Sequence, residues 1–224
     1  MPAVFYIGDS TVTFNKINTY PQQGMSNVLP LFLREGYTAQ PHGHNGRSTK
    51  SFRDEGLWAP VRDGLQAGDF LLIQFSHNDE KADPARHTDP DTTFKDNLRH
   101  FIRCAREKGA YPILHTPIAR RLFDADGNFL PGSHGEYPRA IREVGSEMGV
   151  PVIDLTASTE AFLAEIGDEA SRPLFVWPVD NTHLKFDGAV RMMRFWAEAV
   201  SALPSPYCDI AEPLADRFDR RGEI

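Results

Sequence analysis

A parallel α/β sheet is the fold class this chain predicts, and three observations predict it. Short apolar runs near 3–8, 38–43, 69–76, 110–115 and 150–153 have the length of strands. They alternate with segments whose apolar residues recur at helical spacing, the sign of βα units. Polar clusters follow the first three runs, and an open parallel sheet places its ligand-binding residues at the carboxyl ends of its strands.

Taken in order, Ala3-Val-Phe-Tyr-Ile7 is apolar and stops at Gly8-Asp9-Ser10-Thr11, while the second candidate strand runs into His44-Asn45-Gly46-Arg47-Ser48. Leu71-Leu-Ile-Gln-Phe-Ser-His-Asn78 reads as a buried strand that closes on a polar triplet. Phe94, Leu98, Phe101, Ile102 and Ala105 recur at helical spacing, as do Ala189, Met192, Met193, Trp196, Ala197 and Val200. Both sets are expected to be core-facing stripes. Long polar connections near 79–91, 118–137 and 168–182 are expected as binding walls or lids. The second contains Asp126-Gly127, a hairpin signal. The chain is expected to form one domain over 1–203, followed by a tail over 204–224 that begins Pro204-Ser-Pro206. That tail is expected to lie extended on the domain or on a second subunit, which leaves a homo-oligomer open.

The chemistry lies at the two ends of the chain. A serine hydroxyl needs an imidazole to take its proton and a carboxylate to hold that imidazole in the right tautomer. Ser10 near the start and Asp180-Asn-Thr-His183 near the end supply the three parts. The i, i+3 spacing lets one tight turn present Asp180 and His183 on the same side. Taken separately, Gly-Asp-Ser is also an ordinary turn, and Asp-x-x-His also suits a helix start. Asn78, at a strand end, offers an amide donor for a developing oxyanion. Gly46 offers an approachable backbone N–H.

Together, Gly8-Asp9-Ser10, Gly46, Asn78 and Asp180-x-x-His183 resemble the four blocks of the SGNH/GDSL hydrolases, in the family's order. The text around Gly46–Gly56 and Phe75–Asp79 resembles the rhamnogalacturonan acetylesterases of carbohydrate esterase family 12. The resemblance implies a three-layer α/β/α sandwich with a five-stranded parallel sheet in the flavodoxin-like order 2-1-3-4-5. It implies Ser10 as nucleophile, His183 as base, Asp180 as its orienter, and an oxyanion hole from Ser10, Gly46 and Asn78. The implied activity is removal of O-acetyl groups from pectic oligosaccharides, with activity falling as pH drops through the imidazole region, about 6.5 for the free side chain. Arg47, His77 and Trp177 are candidate substrate contacts, with Trp58 a further candidate for stacking on sugar. For Arg47 a structural salt bridge competes, and for the tryptophans a packing role.

Composition narrows the alternatives. A net charge of −7 argues against a nucleic-acid groove or an anionic membrane surface. No apolar stretch approaches the roughly 20 residues that span a bilayer. The first strand starts within a few residues of Met1, without a leader pattern, and only Cys104 and Cys208 are present. A cytoplasmic enzyme with reduced thiols is the expectation. No Gly-x-Gly-x-x-Gly turn or phosphate loop calls for a nucleotide, and no cofactor is expected. Three rival readings are an esterase or thioesterase on a non-pectic acyl ester, a sugar-binding module without turnover, and a metal-dependent phosphoesterase. The last would draw on Asp9, His42, His44, His77, Asn78, Asp79, Asp180 and His183, but the chain has no His-Glu-x-x-His and no cysteine pair, and no metal is expected.

Overall fold

The structure is a computed structural model that describes residues 1–212. Five strands, β1 (Ala3–Gly8), β2 (Thr38–Pro41), β3 (Phe70–Gln74), β4 (Tyr111–His115) and β5 (Val152–Ile153), form one parallel sheet in the order β2-β1-β3-β4-β5. Registers such as Tyr6↔Leu72 and Leu72↔Ile113 align the central strands. The expected order 2-1-3-4-5 is the observed one.

Strand pleating sends alternate residues to opposite faces, and β1 and β3 are apolar on both. Val4, Tyr6 and Leu72 join Ile113 and Ile153 in a core with Leu155, Phe162 and Leu163 of α5 (Leu155–Ser171) and Met192, Trp196 and Val200 of α6 (Phe186–Ser201). Phe5, Ile7, Leu71 and Ile73 face the other way. They meet Phe52 of α1 (Thr49–Asp54), Val61 of α2 (Trp58–Gly64), Phe101 of α3 (Thr93–Glu107) and Val144 of α4 (Tyr137–Met148). Helices therefore cover both faces, as a parallel sheet requires.

Local chemistry sets the helix ends. Ser48 Oγ accepts the Ser51 N–H at 3.1 Å while Ser51 Oγ accepts the Ser48 N–H at 2.9 Å, a reciprocal cap for α1. Asp154 caps α5 through the Ala157 N–H at 3.2 Å.

The structure departs from the sequence expectations in several places. No α-helix joins β1 to β2; the connection is made of 3₁₀ turns at Ile17–Thr19, Met25–Asn27 and Leu29–Leu31, in a segment punctuated by Pro21, Gly24 and Pro30. β5 is two residues long, because the preceding Pro151 has no N–H to add to the ladder. The first half of the third polar connection is helical: α5 continues across a kink at Gly167 and a 3₁₀ turn spans Arg172–Leu174, so irregular chain begins at Phe175. The hairpin signal is realised, with Phe123 bridging Phe129 across the Asp126-Gly127 turn. Of the tail, 204–212 packs on its own chain, and it is not extended throughout as expected, because a 3₁₀ turn spans Tyr207–Ile210. Ile210 and Ala211 are buried, Ala211 bridges Leu33, and the Arg34 N–H donates to the Ile210 carbonyl at 3.0 Å. The remainder of the expected tail lies outside the described residues.

Among the described residues, no helix is long and apolar enough to cross a membrane.

Candidate active site

β1 delivers Ser10 to the carboxyl edge of the sheet. A Cβ on Gly8 would lie 2.3 Å from the Gln74 carbonyl, so only glycine lets β1 and β3 close at this point. Asp9 next to it is buried and does not face solvent. Its Oδ1 accepts the Thr11 N–H at 3.0 Å and the Thr11 hydroxyl at 2.8 Å, and its Oδ2 lies 3.2 Å from His77 Nδ1. Burial pushes His77 down to about 4 despite Asp9. The pair is best described as an ionised Asp9 accepting from the Nδ1–H of a neutral His77. Asp9 thereby braces the serine turn against the segment after β3. That segment leaves the strand through Ser76 at φ +150°, a backbone setting uncommon for a residue with a Cβ.

Ser10, 173 positions from His183 in sequence, lies with its Oγ 2.9 Å from His183 Nε2. His183 Nδ1 contacts Asp180 Oδ2. A carboxylate only accepts, so Nδ1 carries the imidazole proton and Nε2 keeps a lone pair for the serine hydroxyl. Asp180 Oδ1 accepts the backbone N–H groups of Thr182 at 2.6 Å and His183 at 2.8 Å, the tight turn anticipated from the i, i+3 spacing. Burial pushes the Asp180 carboxyl up. The hydrogen bonds from the His183 ring and the two backbone amides outweigh it and hold the group below its ordinary range.

β2 ends at Pro41, but its course beside β1 continues, with His42 N–H donating to the Tyr6 carbonyl at 2.9 Å and His44 N–H to Gly8 at 3.0 Å. The chain then turns at Gly46, φ +76°, in the left-handed region that favours glycine. Asn78 Nδ2 donates to the Arg47 carbonyl at 3.2 Å, and its Oδ1 accepts from Arg86 Nη1 at 3.2 Å. Ser10, Gly46, Asn78, Asp180 and His183 all line one cleft of about 500 Å³.

The substrate contacts expected from sequence fare differently. The Arg47 side chain turns away from the cleft to Glu55, at 2.7 Å, so the salt bridge prevails and the residue serves the site through its carbonyl. Trp177 is half-exposed and lies 4.5 Å from the Arg121 guanidinium, lining a separate cavity with Phe123 and Asp168. Trp58 is buried against the Phe101 ring. His77 does line the cleft, yet it is only 3% exposed and its Nδ1 is committed to Asp9. Its Nε2 is buried without a hydrogen-bond partner among the described residues.

Arg120, at the start of the second polar connection, lines the cleft, and Gln22, Asn45, Lys81, Arg86 and Thr182, not predicted as contacts from the sequence, complete it. Arg120 donates to Thr182 Oγ1 at 2.8 Å and pairs with Glu80, tying the Asp180–His183 turn to the segment after β3. His134 holds the other Glu80 oxygen at 3.0 Å. Burial pushes Glu80 up, but His134 and Arg120 prevail and hold it down at about 2. Lys81, Arg86 and Arg120 lie in the first two polar connections, which was the available signal. Among the described residues, no three His, Cys, Asp or Glu side chains converge as metal ligands.

A serine, imidazole and carboxylate in hydrogen-bonded series at the carboxyl edge of a parallel sheet define a hydrolase class, and residues 6–191 match the GDSL-like Lipase/Acylhydrolase family. The chain belongs to that family and is a carboxylic ester hydrolase. It is 38% identical over 218 residues to a Bacillus subtilis protein named rhamnogalacturonan acetylesterase RhgT, covering 92% of each chain. It is 35% identical to a probable rhamnogalacturonan acetylesterase, YesY, of the same organism, covering 91% of this chain and 94% of that one. In fold it is similar to the crystal structure of Bacillus subtilis YxiM, with a TM-score of 0.79 and 23% identity over 90% of this chain; it spans 56% of that longer chain. An acetylxylan esterase from Geobacillus stearothermophilus has a TM-score of 0.65 at 16% identity, covering 88% of this chain and 93% of that one.

Proposed function

We propose that the protein removes O-acetyl groups from pectic, rhamnogalacturonan-type oligosaccharides through an acetyl-enzyme on Ser10. The observation that carries this reading is the hydrogen-bonded series Ser10–His183–Asp180 opening onto a cleft that Gly46 and Asn78 also line. Ser10 Oγ attacks the acetyl carbonyl as its proton passes to His183 Nε2, and the ionised Asp180 stabilises the imidazolium. The negative charge on the carbonyl oxygen is met by the N–H groups of Ser10 and Gly46 and the Asn78 amide. His183 returns its proton to the departing sugar oxygen, and the C–O bond to the sugar breaks. Water then attacks the acetyl-enzyme with the same base, releasing acetate and the Ser10 hydroxyl.

Two observations support the pectic substrate. The two curated relatives above bear rhamnogalacturonan acetylesterase names. In a chain of net charge −7, the cleft is lined by three cations, Lys81, Arg86 and Arg120. Arg86 pairs with Asp83 and Arg120 with Glu80, while Lys81 has no ion-pair partner among the described residues. A cation without an ion-pair partner in the lining of the same cleft suits a substrate that carries uronate carboxylates better than a neutral xylan. A cytoplasmic setting belongs to the same proposal: Cys104 and Cys208 are unpaired, and the substrates there would be imported oligosaccharides.

The test is acetate release from acetylated rhamnogalacturonan oligosaccharides, acetylated xylan, monosaccharide acetates and an aryl acetate, with Ser10→Ala as control. We expect release from the pectic substrates that Ser10→Ala abolishes, and a KM for them that Lys81→Ala raises several-fold without changing the KM for the aryl acetate. Release from xylan alone would overturn the pectic assignment, release from the aryl acetate alone would point to a non-sugar ester, and release that survives Ser10→Ala would overturn the mechanism.

A further inference from the structure

We infer that Arg86 is a positioning residue for the oxyanion hole: its guanidinium fixes the orientation of the Asn78 amide and strengthens it as a donor. The inference rests on Asn78 being an oxyanion donor, as proposed above.

A carboxamide can be turned by 180° with little change in shape, and its two faces have opposite hydrogen-bonding character. At Asn78 both faces are read. Oδ1 accepts from Arg86 Nη1 at 3.2 Å and Nδ2 donates to the Arg47 carbonyl at 3.2 Å. Turned over, the amide would set its oxygen against the Arg47 carbonyl and its NH₂ against a guanidinium that only donates. Both contacts would become repulsive, so one orientation survives. In that orientation one N–H is used by Arg47 and the second is left for the cleft, which Asn78 lines.

The Arg86 contact is the charged one of the pair. A cation at Oδ1 draws electron density from the amide and makes the opposite N–H a better donor, as linked hydrogen bonds polarise one another in a poorly solvated site. Asn78 is only 6% exposed, while the Arg86 side chain is 34% exposed, so the contact is shielded from water on the Asn78 side.

Arg86 is itself held in place. Its Nε donates to Asp83 Oδ2 at 2.8 Å, while Asp83 Oδ1 accepts the Ala85 N–H at 3.0 Å. The connection is closed at its base where the Thr88 N–H donates to the Asp79 carbonyl at 3.1 Å and the Thr88 hydroxyl to the Asp79 carboxylate at 2.9 Å. The polar loop after β3 thus serves as a support for the oxyanion hole, in addition to forming a wall of the cleft.

The experiment is a double-mutant cycle on an aryl acetate, a substrate too small to need the sugar contacts. Asn78→Ala is expected to lower kcat by about 100- to 1000-fold. Arg86→Met is expected to lower kcat by about tenfold with KM changed less than twofold, and Arg86→Lys to recover part of the loss. In the Asn78→Ala background, Arg86→Met should change kcat less than twofold, because the group through which it acts is gone. An equal loss from Arg86→Met in both backgrounds, or a rise in KM with kcat intact, would overturn the positioning role while leaving Asn78 in place. Full kcat in Asn78→Ala would overturn the oxyanion reading itself. Should Arg86→Met fail to fold, Asp83→Asn, which loosens Arg86 from outside the cleft, must show a smaller kcat loss that also vanishes without Asn78; if it does not, the inference fails.

Discussion

Two glycines show how differently single residues serve this site. At Gly8 a methyl group would meet the Gln74 carbonyl at 2.3 Å, so Gly8→Ala must push β1 from β3 and is expected to cost about 1–3 kcal/mol of stability. At Gly46 a Cβ would meet nothing within 4 Å, and the penalty is the left-handed backbone alone, about 1–2 kcal/mol. Relief of that strain would move the N–H proposed to meet the oxyanion. Thermal melts paired with aryl acetate kinetics should separate the two: both variants lower Tm, but Gly46→Ala also lowers kcat per folded molecule by tenfold or more, whereas Gly8→Ala acts chiefly through Tm. Equal losses of kcat per folded molecule would contradict the assignment of the Gly46 amide to the oxyanion. Asp180 belongs to this scale too. Its carboxyl is held below the ordinary range by three hydrogen bonds that outweigh burial, so it stays ionised on mild acidification and does not set the acid limb of the activity profile.

At the scale of elements, the regular structure holds Ser10 and the irregular structure holds its partners. Ser10 rides on a fully paired central strand, whereas Asp180 and His183 lie in the irregular chain between Phe175 and α6. Arg120 is the tie across that gap, joining Thr182 on the base turn to Glu80 after β3. Removing it leaves Glu80, which is only 16% exposed, with His134 and the Ser76 hydroxyl as its remaining side-chain partners, and frees the turn that aims the imidazole. Since a displacement near 1 Å can lower a rate by about 100-fold, Arg120→Met is expected to lower kcat on the aryl acetate by about 10- to 100-fold with an unchanged far-UV circular dichroism spectrum. An unaltered kcat would show that the turn holds its own geometry.

For the whole molecule, pH acts on stability through buried groups outside the Ser10–His183–Asp180 series. Burial pushes His115 down to about 3, and its neighbours explain why it resists a proton: Nδ1 donates to the Ile73 carbonyl at 3.3 Å while Nε2 accepts the Trp196 indole N–H at 3.0 Å. A second ring proton would face another donor. His77, at about 4, behaves alike. Both have folded values below the ordinary 6.5, so their contribution to stability is complete above 6.5 and is lost as pH falls through 4 and 3. Asp79 runs the other way. Burial pushes it up to about 7 against the hydrogen bonds from Thr49 and Thr88, so its contribution is complete below about 3.8 and is lost as pH rises through 7. Burial also lowers His42, His44 and His100, so the histidines outweigh the one raised carboxyl and stability should fall as pH drops from 6.5 to 4. Each proton taken up on unfolding accounts for about 1.4 kcal/mol per pH unit. Denaturant melts over that range check this, and His115→Gln should flatten the slope by up to one proton; an unchanged slope would remove His115 from the account.

The amino-acid sequence by itself determined the parallel sheet, its core-facing stripes and the identity of the five residues at the head of the cleft. These were legible because strand alternation, helical spacing and the polar clusters at strand ends are local patterns. The short β5, the 3₁₀ connection after β1 and the helical run through 168–174 were less legible, because proline, Gly167 and packing adjust elements without changing their apolar pattern. The directions of the long side chains were decided only by the tertiary structure. Arg47 turns to Glu55 and Trp177 lies against Arg121, whereas Lys81, Arg86 and Arg120 face the cleft. A flexible side chain goes where a distant partner and burial make it most stable, and such partners are brought together by the fold, much as Ser10 and His183 are across 173 positions.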